Sequence, residues 1–442
     1  MKIQLSDHFT YGKLIRFTIP SIAMMIFTSI YGVVDGFFVS NFVGKAEFAA
    51  VNFIFPFLMI LGAFGFMFGT GGSALVAKTL GEGDRERANR IFSLLVYVSI
   101  SVGIVISVLG IIFIRPVAAL LGAEGEMLES CVIYGRIILA TLVPFMLQIE
   151  FQSFFITAEK PKLGFWVTVA SGVTNMVLDA LLVAVFSMGL VGAALATALS
   201  QAVGGIASLI YFMRPNTSLL KLTKANFDGR ALLRACTNGS SELMSNISMS
   251  LVSMLYNFQL MKYAGEDGVA AYGVLMYVSM IFMAIFIGYS IGTAPLIGYN
   301  YGAANHSEMR NLLKKSFIII GITSVCMLGA SIMLASPMSQ IFVGYDPELF
   351  ALTERGFYIY SFSFLFCGVA IFGSSLFTAL NNGLISAIIS FLRTLVFQVA
   401  AVIILPLIFD MDGIWFSIVV AELMAFAVTL CYVVTQKKKY HY

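Results

Sequence analysis

Thr168, Ser171, Asn175 and Asp179 follow one another at intervals of three and four positions, so a helix carries all four on one face. Thr197 and Gln201 lie four apart, and Ser21, Thr28 and Asp35 recur at every seventh position. Hydroxyl, amide and carboxylate oxygens gathered together are the donors a hard cation such as Na⁺ needs in place of water. A carboxylate withdrawn from water can instead hold a proton. A seam of hydrogen bonds between helices would also use such residues. Asp179 favours the ion reading, because an amide would serve equally well as glue.

The elements that position these side chains must lie in lipid. Of 442 residues, 59% are hydrophobic and 11% charged, against roughly 25% charged in soluble chains. The mean hydropathy is +0.93. Apolar runs of about 20 residues are long enough to cross a bilayer as helices. Twelve are predicted, near 14–40, 48–76, 91–114, 132–157, 163–186, 190–213, 231–262, 269–295, 316–336, 353–379, 385–408 and 413–435. The expected fold is an all-α membrane protein. Its first apolar stretch is too long for a signal peptide and lacks a small-residue cleavage site, so it is read as a retained span.

Twenty of the 26 Lys and Arg residues fall between spans on one side. They include Lys2, Lys78, Arg87, Arg230, Arg234, Arg310 and Lys437 to Lys439. Only Lys45, Arg115, Lys262 and Arg355 fall on the other. The imbalance places both termini in the cytoplasm of a cell (inner) membrane protein. These clusters read as topology signals, and a net charge of +3 with no basic face argues against nucleic-acid binding. Shifting the sequence by half its own length brings Gly44 onto Gly265, Ala49 onto Ala270, Gly71 onto Gly292, Gly81 onto Gly302, Pro116 onto Pro337 and Gly192 onto Gly413. The chain is therefore read as two six-helix lobes, 1–213 and 231–442, joined by a charged linker at 214–230. Parallel repeats of this kind form a transporter's frame, with the cargo path between them.

Ionisable residues within spans are costly, by roughly 2.5–3.5 kcal/mol on insertion scales, and are functional candidates by default. Five acids fall at membrane depth (Asp35, Glu150, Asp179, Glu242 and Glu422) against two bases, Arg136 and Arg393. A cavity lined by this excess would favour cations. Glu150 is expected to pair with Arg136, and Glu422 with Arg393. Glu242, among Ser240, Ser241, Ser245 and Ser248, is divided between the cavity and headgroup depth. Under the shift, Asp35, Asn175 and Asp179 meet Tyr256, Val396 and Ala400, so an ion site would belong to the first half alone. The five cysteines and three histidines show no metal-ligand spacing. No zinc-protease, nucleophile-elbow or P-loop string occurs, so no enzyme and no cofactor are expected.

The stretch from Asn175 to Asp179 (NMVLD), followed by GLVGAALATALSQ at 189–201, resembles the MATE (multidrug and toxic compound extrusion) family. So do Pro20, the stretch YGVVDGFFV at 31–39, and Gly81-Glu-Gly-Asp84 leading to Ala88. The resemblance covers essentially the whole chain. It implies a V-shaped pair of lobes and export of small organic cations by alternating access, powered by Na⁺ or H⁺. In the prokaryotic branch it most resembles, the first-lobe cation site matches Asp35, Asn175, Asp179 and Thr197. Another branch adds acids on the seventh and tenth helices. Glu242 matches the first, but the tenth span has Ser361, Ser363 and Cys367 and no acid. Glu242, Gln201, Glu150 and Tyr31 are expected to line the cavity or contact substrate, Pro20 to bend the first helix, and one chain to work as a monomer. The competing reading is a lipid-linked oligosaccharide flippase of the same superfamily. Its anionic cargo would call for a basic cavity, which the excess of acids opposes.

Overall fold

The computed structural model describes residues 3–43 and 45–442, without the side chains of Ser40, Lys45, Ala46, Phe48 and Ala49. Lys2 and Gly44, and the side chains of Lys45 and Ala49, therefore lie outside the described residues.

Among the described residues, nine helices are long and apolar enough to span a membrane, or eleven when two bent pairs each count as one span. Dividing the longest, Gly229–Gly302, at the non-helical Gly265 (φ 62°) gives twelve. We number them α1 (Tyr11–Phe42), α2 (Ala50–Gly81), α3 (Arg85–Leu120), α4 (Gly125–Ala140 and Leu142–Thr157), α5 (Pro161–Val185) and α6 (Gly189–Met213). In the second half, α7 and α8 share Gly229–Gly302. They are followed by α9 (His306–Val343), α10 (Pro347–Ser361 and Phe364–Ala379), α11 (Gly383–Ile404) and α12 (Pro406–Tyr440). α4 bends by 55° and α10 by 50°. α1 runs unbroken through Pro20, where the sequence predicts a bend. Pro20 is buried and has no N–H to donate, so a carbonyl one turn earlier loses its usual partner there even though the helix continues.

Local chemistry sets the ends. Thr10, Asp84, Asp228, Asn305 and Asp346 each accept a backbone N–H from the first turn that follows, satisfying donors the helix leaves orphaned. Asp84 and Asn305 are separated by half the chain length. The turns before them, at Gly83 and Ala304, both take positive φ. Gly189 and Asp410, related by the same shift, do so as well. The duplication is thus visible in backbone conformation, even where residue types have diverged.

Each lobe packs its own aromatic core. Phe92, Phe151, Phe154 and Phe212 fill the first; Phe286, Phe357, Phe372 and Trp415 fill the second. Large apolar side chains such as Ile112, Phe113, Ile322 and Val325 face outward, as a chain solvated by lipid requires. The lobes meet through glycines placed by the repeat. A Cβ on Gly81 would overlap the Tyr299 carbonyl oxygen, and one on Gly302 the Lys78 carbonyl oxygen. Lys78 and Tyr299 are themselves repeat partners, so the crossing is reciprocal. Gly71 lies equally close to Ala235 and Gly239, and Gly292 packs on Thr18.

All these contacts lie at the end of the bundle that holds both termini. Phe9 accepts from Asn311 on α9 (2.9 Å), and Arg310 donates to the His441 carbonyl (3.2 Å). The hydrogen bonds that join the lobes cluster here too. Glu308 of α9 receives the Phe9 N–H (2.9 Å), Asn300 of α8 donates to Leu5, and Asn381 donates to Ala74. At the opposite end of α1 and α8, Gly32, Gly36 and Gly273 have open space around them.

Candidate cation site

α1, α5 and α6 converge within the first lobe and bring four side chains together. Asp35 Oδ1 accepts from Asn175 Nδ2 at 3.5 Å and from Thr197 Oγ1 at 3.4 Å. These are long contacts, beyond the usual range for strong bonds. Asp179 is fully buried and faces Asp35, close enough for the two to hydrogen-bond once one carries a proton. Among the described residues no donor reaches either oxygen of Asp179, and Asn175 Oδ1 is likewise unpartnered. A buried carboxylate without donors is costly, and here two of them face each other with no basic residue between.

The backbone contributes as well. α5 changes from α to π winding at Asp179 and stays so to Val185, a local widening found often at functional sites. One turn before Asn175, Gly172 lets α1 approach: a Cβ there would come within 2.8 Å of the Tyr31 ring and 2.5 Å of Phe27. Tyr31 reaches Gln148 of α4. Gln148 donates to Ser171 (3.1 Å), and Ser171 to the Ser200 carbonyl (2.7 Å). Buried Tyr134 lies within electrostatic range of both aspartates. Sequence reasoning missed Gln148 and Tyr134. Gln148 and Gln152 lie four apart on either side of Glu150 in a mostly apolar span, which was the signal available.

The remaining expected residues fall elsewhere. Gln201 accepts from Thr141 (3.3 Å), and Thr168 receives a weak contact from Gln152 (3.4 Å). Glu150 does not pair with Arg136. It is wholly buried in the first lobe near Ser99, with neither oxygen in a well-formed hydrogen bond among the described residues, whereas Arg136 is exposed and lies near Glu129. Fourteen positions of helix separate the two by about 20 Å, and the bend of α4 lies between them. Glu242 is half-buried on α7, within electrostatic reach of Arg393. Glu422 of α12 and Arg393 of α11 form an ion pair at 2.9 Å. Nearby, Tyr256 donates to Gln398 at 2.7 Å.

The arrangement can hold one cation or share a proton between carboxylates, and one of its helices, α1, also packs against the second lobe. Comparisons with known proteins agree with this frame. The chain is 24% identical over 413 residues to the multidrug export protein MepA of Staphylococcus haemolyticus, covering 93% of this chain and 90% of that protein. It is 25% identical over 415 residues to MepA of Staphylococcus aureus, covering 93% and 91%. A crystal structure of MATE in complex with MaL6 superposes with a TM-score of 0.93 at 22% identity, covering 98% of each chain. The MatE profile matches twice, over residues 20–181 and 243–404, once in each lobe, and the chain belongs to the MatE family, the multidrug and toxic compound extrusion transporters.

Proposed function

We propose that this chain is a secondary active transporter of the cell membrane, with both termini cytoplasmic, that exports organic cations in exchange for Na⁺ or H⁺. The observation that carries the reading is the Asp35–Asp179 pair: two carboxylates face each other on separate helices with no basic partner among the described residues. Asp35, Asp179, Asn175 Oδ1 and Thr197 Oγ1 supply oxygens of the kind Na⁺ takes, and three of those atoms have no protein donor. The same pair accommodates a proton, since like charges in contact favour sharing one. The cargo class follows from the MepA relatives, which are multidrug export proteins, and from the excess of acid at membrane depth.

With the lobes joined at the end holding the termini, the structure corresponds in this reading to the state open to the outside. Cation loading at Asp35 and Asp179 draws α1 and α5 together, repacks α1 and weakens the hold on cargo in the adjoining cleft. A ligand drives such a change only through its different affinity for the two states. Movement of ethidium in proteoliposomes under an imposed Na⁺ or pH gradient tests the proposal. Asp179→Asn should abolish the driven component in a protein that still folds and inserts, and the effective gradient names the coupling ion. Full driven efflux by that variant would sink the reading.

A further inference from the structure

Where α2, α3 and α7 meet near the termini, a cavity of about 320 Å³ opens between the lobes. Arg87, Arg230 and Arg234 line it, with a single acid, Asp228, over Leu75 and Ile91. Among the described residues none of the three arginines forms an ion pair. Asp228 uses Oδ1 to cap α7, accepting from the N–H groups of Arg230 and Ala231 at 3.1 Å. Arg87 lies in the first turn of α3, and Arg230 and Arg234 in the first two turns of α7. Helix N-termini carry partial positive charge, so cations there work against helix stability while two such ends together favour an anion. Membrane topology accounts for arginines on this side of the bilayer. It does not account for three of them converging on one cavity without a carboxylate partner.

The repeat supplies a control within the molecule. Shifted by half the chain length, Arg87, Arg230, Arg234 and Asp228 fall on Glu308, Phe9, Lys13 and Asp7. There the chain provides its own anion: Glu308 meets His8 Nδ1 at 2.7 Å and the Phe9 N–H at 2.9 Å, and Lys13 pairs with Asp7 at 3.6 Å. In the first half, arginine stands in place of that glutamate, and the three arginines, all exposed, leave the place of the anion open to one from outside. Beside the arginines, Phe227 is 79% and Leu233 65% exposed. Large apolar groups alternating with cations match a ligand with a charged head and a greasy tail.

We propose that this cavity binds the phosphate headgroup of an anionic phospholipid from the leaflet nearest the termini, tying α3 of one lobe to α7 of the other. Basic pockets between membrane helices at this depth recognise such headgroups. The lipid would hold the lobes together at the end where they already touch.

The test uses the full chain and an Arg87→Gln/Arg230→Gln/Arg234→Gln variant. Retention of phosphatidylglycerol by native mass spectrometry is read beside thermal unfolding, in detergent micelles containing phosphatidylcholine with or without phosphatidylglycerol. Phosphatidylglycerol should bind and stabilise the unaltered chain, with affinity falling about tenfold or more in the triple variant. Lys437→Gln/Lys438→Gln/Lys439→Gln, equal in charge change on the same side, should retain binding. Equal loss in both variants would reduce the effect to surface charge and overturn the site. Full stabilisation by inorganic phosphate alone would overturn the lipid assignment. If the triple variant does not fold, each single Arg→Gln change should weaken lipid retention, and three silent single variants would refute the proposal.

Discussion

The two lobes repeat one frame but treat buried charge in opposite ways. In the first, Asp35 and Asp179 face each other with only an amide and a hydroxyl at 3.4–3.5 Å. In the second, Glu422 is held by Arg393 at 2.9 Å. The difference is spread over several repeat positions: Asp35 and Asp179 meet Tyr256 and Ala400, while Gln201 and Gly172 meet Glu422 and Arg393. At Gly172 the missing side chain admits Phe27 and Tyr31 of α1. At Arg393 a guanidinium turns instead to Glu422 of α12 and pairs with it. Both lobes also put their ionisable residue on a π-wound segment, Asp179 on α5 and Arg393 on α11. A lobe that carries its own counter-ion has no call for an external cation; a lobe with two unmatched acids does. Under the proposed function, exchange would then fall to the first half.

The largest expected effect breaks this asymmetry on the open side. Asp179→Asn should lower gradient-driven ethidium efflux about tenfold or more, a typical size for loss of coupling between two ligands, with passive binding of ethidium retained. Asp35→Asn should do the same. The matching change on the closed side should harm the fold instead. Arg393→Ala leaves Glu422 buried and unpaired, which costs about 3–5 kcal/mol, while the double change Arg393→Met/Glu422→Leu should recover most of that loss. Unfolding in detergent measures both. If Arg393→Ala left stability intact but abolished driven transport, the second lobe would also take part in coupling.

Much of this was legible in the sequence. Residue spacing placed Asn175 and Asp179 on one helix face, and the half-length shift showed that the acids are unmatched in the second half. Periodicity and charge also marked the spans. What escaped was geometry set by tertiary packing. The sequence suggests a Glu150–Arg136 pair because both lie on α4, yet helical rise alone keeps them apart. Gln148 joins the network only because α4 packs beside α5, which spacing within α4 does not reveal. The π turn at Asp179 leaves no mark in hydropathy, since it alters winding without altering composition. The reciprocal crossing of Gly81 and Gly302 was visible as a repeat match, but not as the contact between lobes.

That crossing gives the next test in size. Gly302→Ala puts a Cβ 2.0 Å from the Lys78 carbonyl oxygen, and backbone cannot yield as a side chain would. Overpacking of this sort costs about 1–3 kcal/mol. The cost should fall on the state in which the lobes touch near the termini. Cys236, partly exposed on α7 next to the Gly71 contact, reports it. With Cys326 and Cys431 replaced by alanine, maleimide should label Cys236 faster in the variant. Gly12→Ala, whose Cβ meets nothing, should leave the rate unchanged. Equal rates in all three proteins would show that the crossing does not control closure.

The smallest effect expected is the one that defines the site's edge. Glu150 and Asp179 are both fully buried acids in the first lobe, and neither accepts a well-formed hydrogen bond among the described residues. Yet among the described residues no second acid faces Glu150; Ser99 lies beside its carboxyl, and the backbone of Gly69 packs against its own. A lone carboxyl has no second acid with which to share a proton or a cation, unlike Asp35 and Asp179. A neutral carboxyl and an amide have nearly the same shape. Glu150→Gln should therefore change driven efflux by less than about twofold, as a near-isosteric swap permits, and its pH dependence should follow that of the unaltered chain. Loss of driven efflux as deep as that of Asp179→Asn would show that the coupling site extends through α4, and that burial without a partner, not pairing between acids, is what makes a carboxyl functional here.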